Sequence, residues 1–304
     1  MKVEIKNELE TFAKVEEGKS FADLTTLHIG GPISLVVYPE SLIALDGIMR
    51  IIDKYHLQFK VIGKGSNILA SDDNYEGIVI RFDRHFNDYY INHEDVYALA
   101  GTSTIALSNA CMKAGLSGLE FSSGIPGTVG GNVFMNAGAY KSCIADIIQE
   151  VFVYRHHRFE WIRKEECAFS YRHSIFKEHN DWIILAAHYR LIPKASDEIE
   201  AVMSQRKQRR LSTQPLQYPS CGSVFKNPEG YYSWQLIENI GYRGKKIGGA
   251  MVSEKHANFI LNVDHAKADD YLQLINEIKK RVKNSYGVSF LPEVEMFNWL
   301  KKKD

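Results

Sequence analysis

Residues 122–140 read SSGIPGTVGGNVFMNAGAY, and five of these nineteen residues are glycine. A glycine-rich loop indicates a tight turn, a closely approaching ligand or both, because glycine carries no Cβ. Phosphates are the usual ligand, since bare backbone N–H groups can surround them. A P-loop would place Lys and then Ser or Thr directly after its last glycine. Asn132 and Val133 follow Gly131 instead, so a P-loop kinase or NTPase does not fit.

Another glycine loop lies earlier in the chain, in VIGKGSNILASDD, where Gly63 and Gly65 directly follow an apolar strand pattern. A Rossmann loop would have a third glycine at position 68, where Ile68 stands, so this G-x-G alone also fits a tight turn. Ser66 and Asn67 favour a phosphate ligand, because both side chains can hydrogen-bond phosphate oxygens. Two such loops in succession suit one long ligand with a central pyrophosphate, and FAD fits better than a mononucleotide.

The composition of the 304 residues is that of an ordinary globular protein, with 45% apolar and 24% charged residues. The 37 basic and 37 acidic side chains balance, which argues against nucleic-acid binding by bulk charge. The start, MKVEIKNELE, has no apolar signal core, and no run approaches the ~20 apolar residues of a membrane helix. We expect a cytoplasmic monomer that binds neither nucleic acid nor membranes.

The cysteines are scattered without a C-x-x-C pair: Cys111, Cys143, Cys167 and Cys221. In a reducing compartment they are expected to be free thiols. No H-E-x-x-H motif or Cys/His cluster is present, so we expect no metal. His156 and His157 are neighbours in a strand-like stretch, where they would face opposite sides.

The first part of the chain alternates between strand and helix patterns. A strand SLVVYP precedes a helical stretch in which Leu45, Ile48 and Ile52 share one face, and the strands FKVIG and GIVIRF follow. This is the βαβ pattern. From about residue 84 strands outnumber helices, and near the C-terminus HANFILN and FLPEVEMF are predicted to be strands.

Residues 196–212, SDEIEAVMSQRKQRRLS, are predicted to form a connecting helix, whose acidic start and basic end suit the helix dipole. RKQRR could be a basic motif, but zero net charge favours a solvated helix end. The tail KKKD is expected to be a solvated terminus. The sequence predicts an α+β fold with three domains: 1–83, 84–195 and 204–298.

Seven motifs follow in order: TTLHIGGP, VIGKGSNILASDD, SGIPGTVGGNVFMNAGAY, FSYRHSIFK, CGSVFKNP, KIGGAMVSEKHANFILN and FLPEVEMF. From about residue 20 to 298 the chain resembles the UDP-N-acetylenolpyruvoylglucosamine reductases (UDP-N-acetylmuramate dehydrogenases). The resemblance implies two FAD-binding subdomains, similar to those of the PCMH or vanillyl-alcohol-oxidase type, and a C-terminal substrate-binding domain. It also implies an oxidoreductase of peptidoglycan precursor synthesis, which reduces an enolpyruvyl ether on a UDP-sugar to a lactyl ether using non-covalent FAD and NADPH.

The resemblance assigns both glycine loops to FAD. In chain order, the first loop (residues 63–67) would hold the pyrophosphate, and the second loop (residues 122–138) would approach the flavin. The implied contacts are Gly63, Lys64, Gly65, Ser66, Asn67, Ile125, Pro126, Gly127, Thr128, Gly131 and Gly138. A flat ring lying against the backbone leaves little room for Cβ atoms, which would account for Gly127, Gly130 and Gly131.

In the implied reaction, hydride from flavin N5 adds to the methylene carbon, and negative charge develops on the neighbouring carbon and its carboxylate. A donor must already be aimed at that carboxylate. The resemblance assigns this role to Arg172, whose guanidinium can grip a carboxylate with two hydrogen bonds. Glu293 would assist in polarising the same group. Glu295 is its rival, because spacing alone does not distinguish the two.

Ser223 matches the residue that gives a proton to the carbanionic carbon. A serine hydroxyl is a weak acid, so this role needs a water-poor site and a strongly basic acceptor. Ser220 and Cys221 are close competitors in the sequence. Without the resemblance, Ser223 would be interpreted as a turn residue.

The resemblance further implies that Tyr140, Asn227 and His256 contact the UDP-sugar. His256 could equally be a core histidine bonded to the backbone. Only 51 positions (223 − 172) separate Arg172 from Ser223, so an extra insert of the longer family members, which carries a substrate-covering tyrosine, is expected to be absent. Two alternatives are a flavin- or nucleotide-binding module without turnover and an oxidase on the same scaffold.

Overall fold

The computed structural model describes residues 2–299, so the predicted terminus at 301–304 lies outside the described residues. The α-helices are α1 Lys2–Glu10, α2 Phe21–Leu24, α3 Leu42–Lys54, α4 Thr104–Lys113, α5 Val129–Met135, α6 Ser196–Thr213, α7 Ser233–Asn239 and α8 Ala268–Tyr286. The strands of the first half are β1 Ala13–Glu16, β2 Ile33–Pro39, β3 Phe59–Val61, β4 Ile68–Ala70, β5 Tyr75–Ile80, β6 Tyr89–Asn92, β7 Asp95–Leu99, β8 Leu116–Ser117, β9 Gly138–Ala139 and β10 Ser142–Cys143. Those of the second half are β11 Ile148–Arg155, β12 Arg158–Arg163, β13 Ile183–Arg190, β14 Ile192–Pro193, β15 Lys246–Ile247, β16 Ala250–Val252, β17 Ile260–Asn262 and β18 Glu295–Phe297.

The described chain forms two compact units, and neither is one continuous stretch. The first unit contains residues 2–17, 35–64 and 77–210, and the second contains residues 18–34, 65–76 and 211–299. The chain therefore passes from one unit to the other five times. The three predicted domains stay a prediction, whereas the predicted mixture of helices and strands is confirmed.

The first sheet of the first unit contains the predicted βαβ pattern. Its strand order is β1-β2-β5-β3, with β1 antiparallel to β2 and β3 parallel to β5. Helix α3 connects β2 to β3, and the Ser41 hydroxyl caps it by accepting a hydrogen bond from the Ala44 amide at 3.1 Å. Leu45, Ile48 and Ile52 are buried, so the predicted core face of α3 is confirmed.

The second sheet of the first unit has the order β12-β11-β13-β7-β6, with antiparallel neighbours throughout. His156 and His157 form the two-residue connection between β11 and β12, with φ of +48° and +58°. The expectation that they lie in a strand was wrong. A two-residue hairpin loop requires positive φ at both positions to match the twist of its strands, which takes both histidines out of the ladder.

Seven of the nineteen residues in the stretch 122–140 form helix α5. Val129 and Val133 are fully buried in the same core as Val96 and Leu185 of the second sheet. Burial of these valines offsets the poor helix propensity of the intervening glycines. The expectation of a loop throughout was therefore wrong for residues 129–135.

The second unit packs a three-stranded antiparallel sheet, β15-β16-β17, with α8. The buried face of α8 includes Tyr271, Leu274 and Ile278, and Gly287 ends the helix in a left-handed conformation. Strand β18 pairs with β4 in parallel. Both predicted C-terminal strands are shorter than expected. Among helices in the described part of the chain, none has the length and apolar character of a membrane span.

Candidate functional site

The first glycine loop presents unused hydrogen-bond donors. Within residues 2–299, no protein group accepts a bond from the backbone amides of residues 63–66 or from the Ser66 hydroxyl. The Lys64 side chain is exposed, and Gly65 has a φ of +62°. Successive N–H groups without protein acceptors are the donor set that an anionic pyrophosphate requires. The residues present here therefore fit the pyrophosphate of FAD.

Tight protein packing explains several of the glycines. A Cβ on Gly63 would clash with Thr128 Oγ1 of the second glycine loop, so the two loops touch directly within the first unit. A Cβ on Gly127 would lie 2.7 Å from Asn132 Oδ1, and one on Gly130 would lie 3.0 Å from Ala100 Cβ. Neighbouring protein atoms therefore leave little room for a Cβ at these positions, and at Gly127 and Gly130 this is a different reason from the flavin ring that the resemblance implied.

Gly65 and Gly138 follow the same rule. A Cβ on Gly65 would clash with the Leu24 carbonyl oxygen, and one on Gly138 would lie 2.5 Å from the Ser142 carbonyl oxygen in the β9–β10 pair. In each case a backbone oxygen stands where a side chain would begin. A glycine is therefore required at both positions whether or not a ligand is nearby.

Gly131 is the exception among the glycines assigned to FAD. It is exposed, and a Cβ there would meet only Thr128 Oγ1 at 3.5 Å, an ordinary contact distance. Pro126 is also exposed and Ile125 is half-buried, whereas Gly127 and Thr128 are buried. Pro126 and Gly131 are thus the residues of this loop whose surface is open to a ligand.

Arg172 lies at a tight turn beside the second glycine loop. Ser170 and His173 exchange two backbone hydrogen bonds of 3.2 and 3.1 Å, and Arg172 between them has a φ of +56°. The Arg172 guanidinium donates to the Gly138 carbonyl at 2.7 Å, and the Asn136 amide donates to the Ser170 carbonyl at 2.8 Å. The structure thus brings the predicted catalytic arginine to the end of α5.

Tyr140 contacts α6. Its hydroxyl donates to the Arg206 carbonyl at 3.3 Å, and the Arg206 guanidinium lies 4.6 Å from the centre of the Tyr140 ring. Arg210 Cδ would be 3.1 Å from a Cβ on Gly124. The expectation that RKQRR is only a solvated helix end was wrong for these two arginines, because they continue the buried stripe of Ile199 and Met203 on one face of α6.

In the second unit, Ser223 and Glu293 lie on neighbouring segments. Phe225 forms an antiparallel bridge with Pro292, and the Glu293 amide donates to the Val224 carbonyl at 2.7 Å. Val224, which directly follows Ser223, therefore bonds Glu293. Arg172 belongs to the first unit.

Asn67, at the end of the first glycine loop, contacts the same segment. Its side-chain amide donates to the Glu293 carbonyl at 3.0 Å, and its own carbonyl accepts from the Glu295 amide at 2.8 Å. Residues 67, 223 and 293 thus come together from sequence positions more than 60 residues apart. No spacing rule in the sequence could have indicated this arrangement.

Ser220 and Cys221, the alternative candidates for the proton donor, are bonded to other parts of the second unit. Cys221 is almost fully buried, its thiol lies 3.0 Å from the Tyr271 hydroxyl, and burial raises its pKa to about 11. Both backbone groups of Ser220 bond to Thr26, whose hydroxyl donates to the Ser220 carbonyl at 2.7 Å. Cys221 is thus a core residue of the second unit rather than an accessible acid.

The two remaining substrate candidates also lie in the second unit. Asn227 is exposed, and its side-chain oxygen accepts from the Ser233 amide at the start of α7 at 3.0 Å. His256 lies in the turn between β16 and β17 and not in a strand, which corrects the prediction. Burial, and then the charge of Arg243, lowers the pKa of His256, whose Nδ1 accepts a bond from the Asn258 amide at 3.3 Å.

Two family models match the chain. One, described as FAD binding domain, matches residues 33–155, and the other, described as UDP-N-acetylenolpyruvoylglucosamine reductase, C-terminal domain, matches residues 214–297. The first contains both glycine loops, and the second contains Ser223, Asn227, His256 and Glu293.

Whole-length relatives agree with these matches. The chain is similar to UDP-N-acetylenolpyruvoylglucosamine reductase of Anoxybacillus flavithermus, with 44% identity over 93% of this chain and 94% of the relative. The enzyme of the same name from Halalkalibacterium halodurans is 40% identical, with the same coverage of both chains. The crystal structure of UDP-N-acetylenolpyruvylglucosamine reductase from Thermus caldophilus covers 94% of this chain and 100% of its own, with a TM-score of 0.82 and 33% identity. The chain belongs to the UDP-N-acetylenolpyruvoylglucosamine reductase family.

Proposed function

We propose that Arg172, Ser223 and Glu293 are the catalytic residues of this FAD- and NADPH-dependent reductase of peptidoglycan precursor synthesis. The observation that carries the proposal is the hydrogen bond between the Glu293 amide and the Val224 carbonyl, because it sets Ser223 beside Glu293. The Asn67 side chain bonds the Glu293 carbonyl, which supports a role for Asn67 beside the same pair. The substrate is UDP-N-acetylenolpyruvoylglucosamine, and the product is UDP-N-acetylmuramate.

FAD bound by these residues and reduced by NADPH would supply the hydride for the methylene carbon of the enolpyruvyl group. Arg172 binds the substrate carboxylate and stabilises the negative charge that develops there. Glu293 polarises the same carboxylate by hydrogen bonding. Ser223 donates its hydroxyl proton to the carbon next to the carboxylate, which is basic enough to take a proton from a weak acid.

For the cofactor, we infer that the amides of residues 63–66 and the side chain of Asn67 hold the pyrophosphate. The absence of protein acceptors for those amides within residues 2–299 supports this assignment. The exposed Pro126 and Gly131 would contact the flavin, and the less exposed Ile125 and Thr128 would support this surface. Gly127 and Gly138 shape this loop by packing against protein atoms.

For the substrate, we infer that Tyr140, Asn227 and His256 contact the UDP-sugar. Because the Nδ1 of His256 accepts a bond from the Asn258 amide, its Nε2 carries the hydrogen and can donate. A monomeric state and a cytoplasmic location stay predictions. The balance of 37 basic and 37 acidic side chains supports the absence of nucleic-acid binding.

The experiment measures flavin reduction by NADPH and flavin reoxidation by the sugar nucleotide separately, under anaerobic conditions. Ser223→Ala is expected to leave flavin reduction by NADPH nearly unchanged and to slow reoxidation by the sugar nucleotide by about 10²–10³, the usual effect of removing one preorganised group. Ser220→Ala is the matched control, since it removes a hydroxyl three residues away. Equal slowing of both halves in Ser223→Ala would contradict the assigned role.

A further inference from the structure

The basic end of α6 divides into two faces. Arg206 and Arg210, four residues apart, continue the stripe that begins with the buried Ile199 and Met203, and both arginines are half-buried. Lys207, between them in sequence, is exposed. Two cationic side chains thus lie on the inward face of this helix end, where apolar residues would be expected.

Neither guanidinium is neutralised by the protein. Within residues 2–299, no carboxylate forms an ion pair with Arg206 or Arg210. Glu120 is an acidic group near Arg206, but its two oxygens accept from the Ser117 hydroxyl at 2.6 Å and the Gly118 amide at 2.8 Å. Burial lowers the pKa of Arg210, which reflects the cost of keeping this charge away from water without an anion.

The two arginines flank a proposed substrate residue. The Arg206 guanidinium stacks on the Tyr140 ring at 4.6 Å, and the Tyr140 hydroxyl bonds the Arg206 carbonyl. Arg210 packs on Gly124, two residues before Pro126 of the proposed flavin loop. The stacked ring fixes the Arg206 side chain, so its planar N–H groups are already ordered before a ligand arrives.

We propose that Arg206 and Arg210 form an anion subsite for the diphosphate of the UDP-sugar. This inference rests on the proposed role of Tyr140 in substrate binding. A diphosphate is the part of that substrate whose geometry and charge match two guanidinium groups, which bind phosphate oxygens in pairs. The phosphates of NADPH share this chemistry, and the experiment separates the two sources.

The test titrates the FAD-loaded enzyme with UDP and with uridine by calorimetry. We expect the wild type to bind UDP more tightly than uridine. Arg206→Gln and Arg210→Gln should each lose roughly 10–100-fold in UDP affinity, the usual value of a charged hydrogen bond, and leave uridine binding unchanged. Lys207→Gln is the matched control, since it removes one positive charge from the exposed face of the same helix. Arg206→Lys should recover part of the loss.

Several results would overturn the proposal. Unchanged UDP affinity in Arg206→Gln would show that no phosphate contact was lost. Equal weakening of UDP and uridine binding would show the same. Stopped-flow reduction of the flavin should show the same dependence on NADPH concentration in all variants. If flavin reduction in the arginine variants needed a different NADPH concentration while UDP binding stayed normal, the arginines would be assigned to NADPH. Nucleotide titration needs no turnover, so a failure of Ser223 as proton donor would leave this test intact.

Discussion

Gly131→Ala separates the two reasons for a glycine in the second loop. The new Cβ would sit 3.5 Å from Thr128 Oγ1, which is an ordinary contact, so nothing in the protein has to move. Because Gly131 lies in α5, the substitution should stabilise the FAD-free protein by up to ~1 kcal/mol through helix propensity. If the flavin lies on this exposed surface, the same methyl group should weaken FAD binding by about 1–3 kcal/mol, the usual cost of overpacking.

The assay measures thermal unfolding of the FAD-free protein and the dissociation constant for FAD by flavin fluorescence. A cost of 1–3 kcal/mol corresponds to roughly a 5- to 150-fold rise in that constant. Gly63→Ala is the counterpart, because its Cβ would clash with the buried Thr128 and should lower stability by about 1–3 kcal/mol without FAD. Gly131→Ala that binds FAD as tightly as wild type would refute the flavin assignment, and a fully stable Gly63→Ala would refute the packing argument.

Two further predictions concern buried or paired side chains. Cys221→Ser should lower the free energy of unfolding by about 1–3 kcal/mol, because it buries a more polar group. Reoxidation of the flavin by substrate should stay at the wild-type rate. A rate loss like that of Ser223→Ala would instead make Cys221 the acid. Hydrogen bonding by Arg84 lowers the pKa of Glu16 to about 2, below the ~4.3 of an unfolded chain. The stabilisation by ionised Glu16 is therefore present above about pH 4.3 and lost as the pH falls towards 2. Urea unfolding from pH 5 to 2.5 should show a shallower decline for Glu16→Gln, and parallel curves would contradict this.

The sequence predicted well the elements whose side chains follow a regular period. Helix α3 has one apolar face, and the predicted excess of strands after about residue 84 agrees with the second sheet. The elements that were missed have unusual residues. Helix α5 contains two adjacent glycines, and the hairpin at His156 and His157 lacks the Asn-Gly or Asp-Gly that signals such a turn. In both, tertiary packing outweighs local propensity.

The candidate site was predicted as a set of residues but not as an arrangement. Ser223 and Glu293 were found through motifs, whereas their pairing through Val224 depends on the fold. The inward face of α6 was misread because charge counting treats RKQRR as one solvated group. A signal was available in the spacing of Ile199, Met203, Arg206 and Arg210, which places all four on one helical face.

The pairing of β4 with β18 has a consequence during synthesis. The first paired residues, Ile68 and Glu295, are 227 positions apart (295 − 68), and translation proceeds at ~5–20 residues per second. Ile68 therefore waits roughly 10–45 s at these rates for its partner to be made. For most of that time Leu27, Ile29 and Leu69 lack the rest of the second-unit core, because the next residue of that core along the chain is Cys221. A ribosome that stalls before residue 221 leaves a nascent chain with these apolar side chains available for aggregation or for capture by a chaperone.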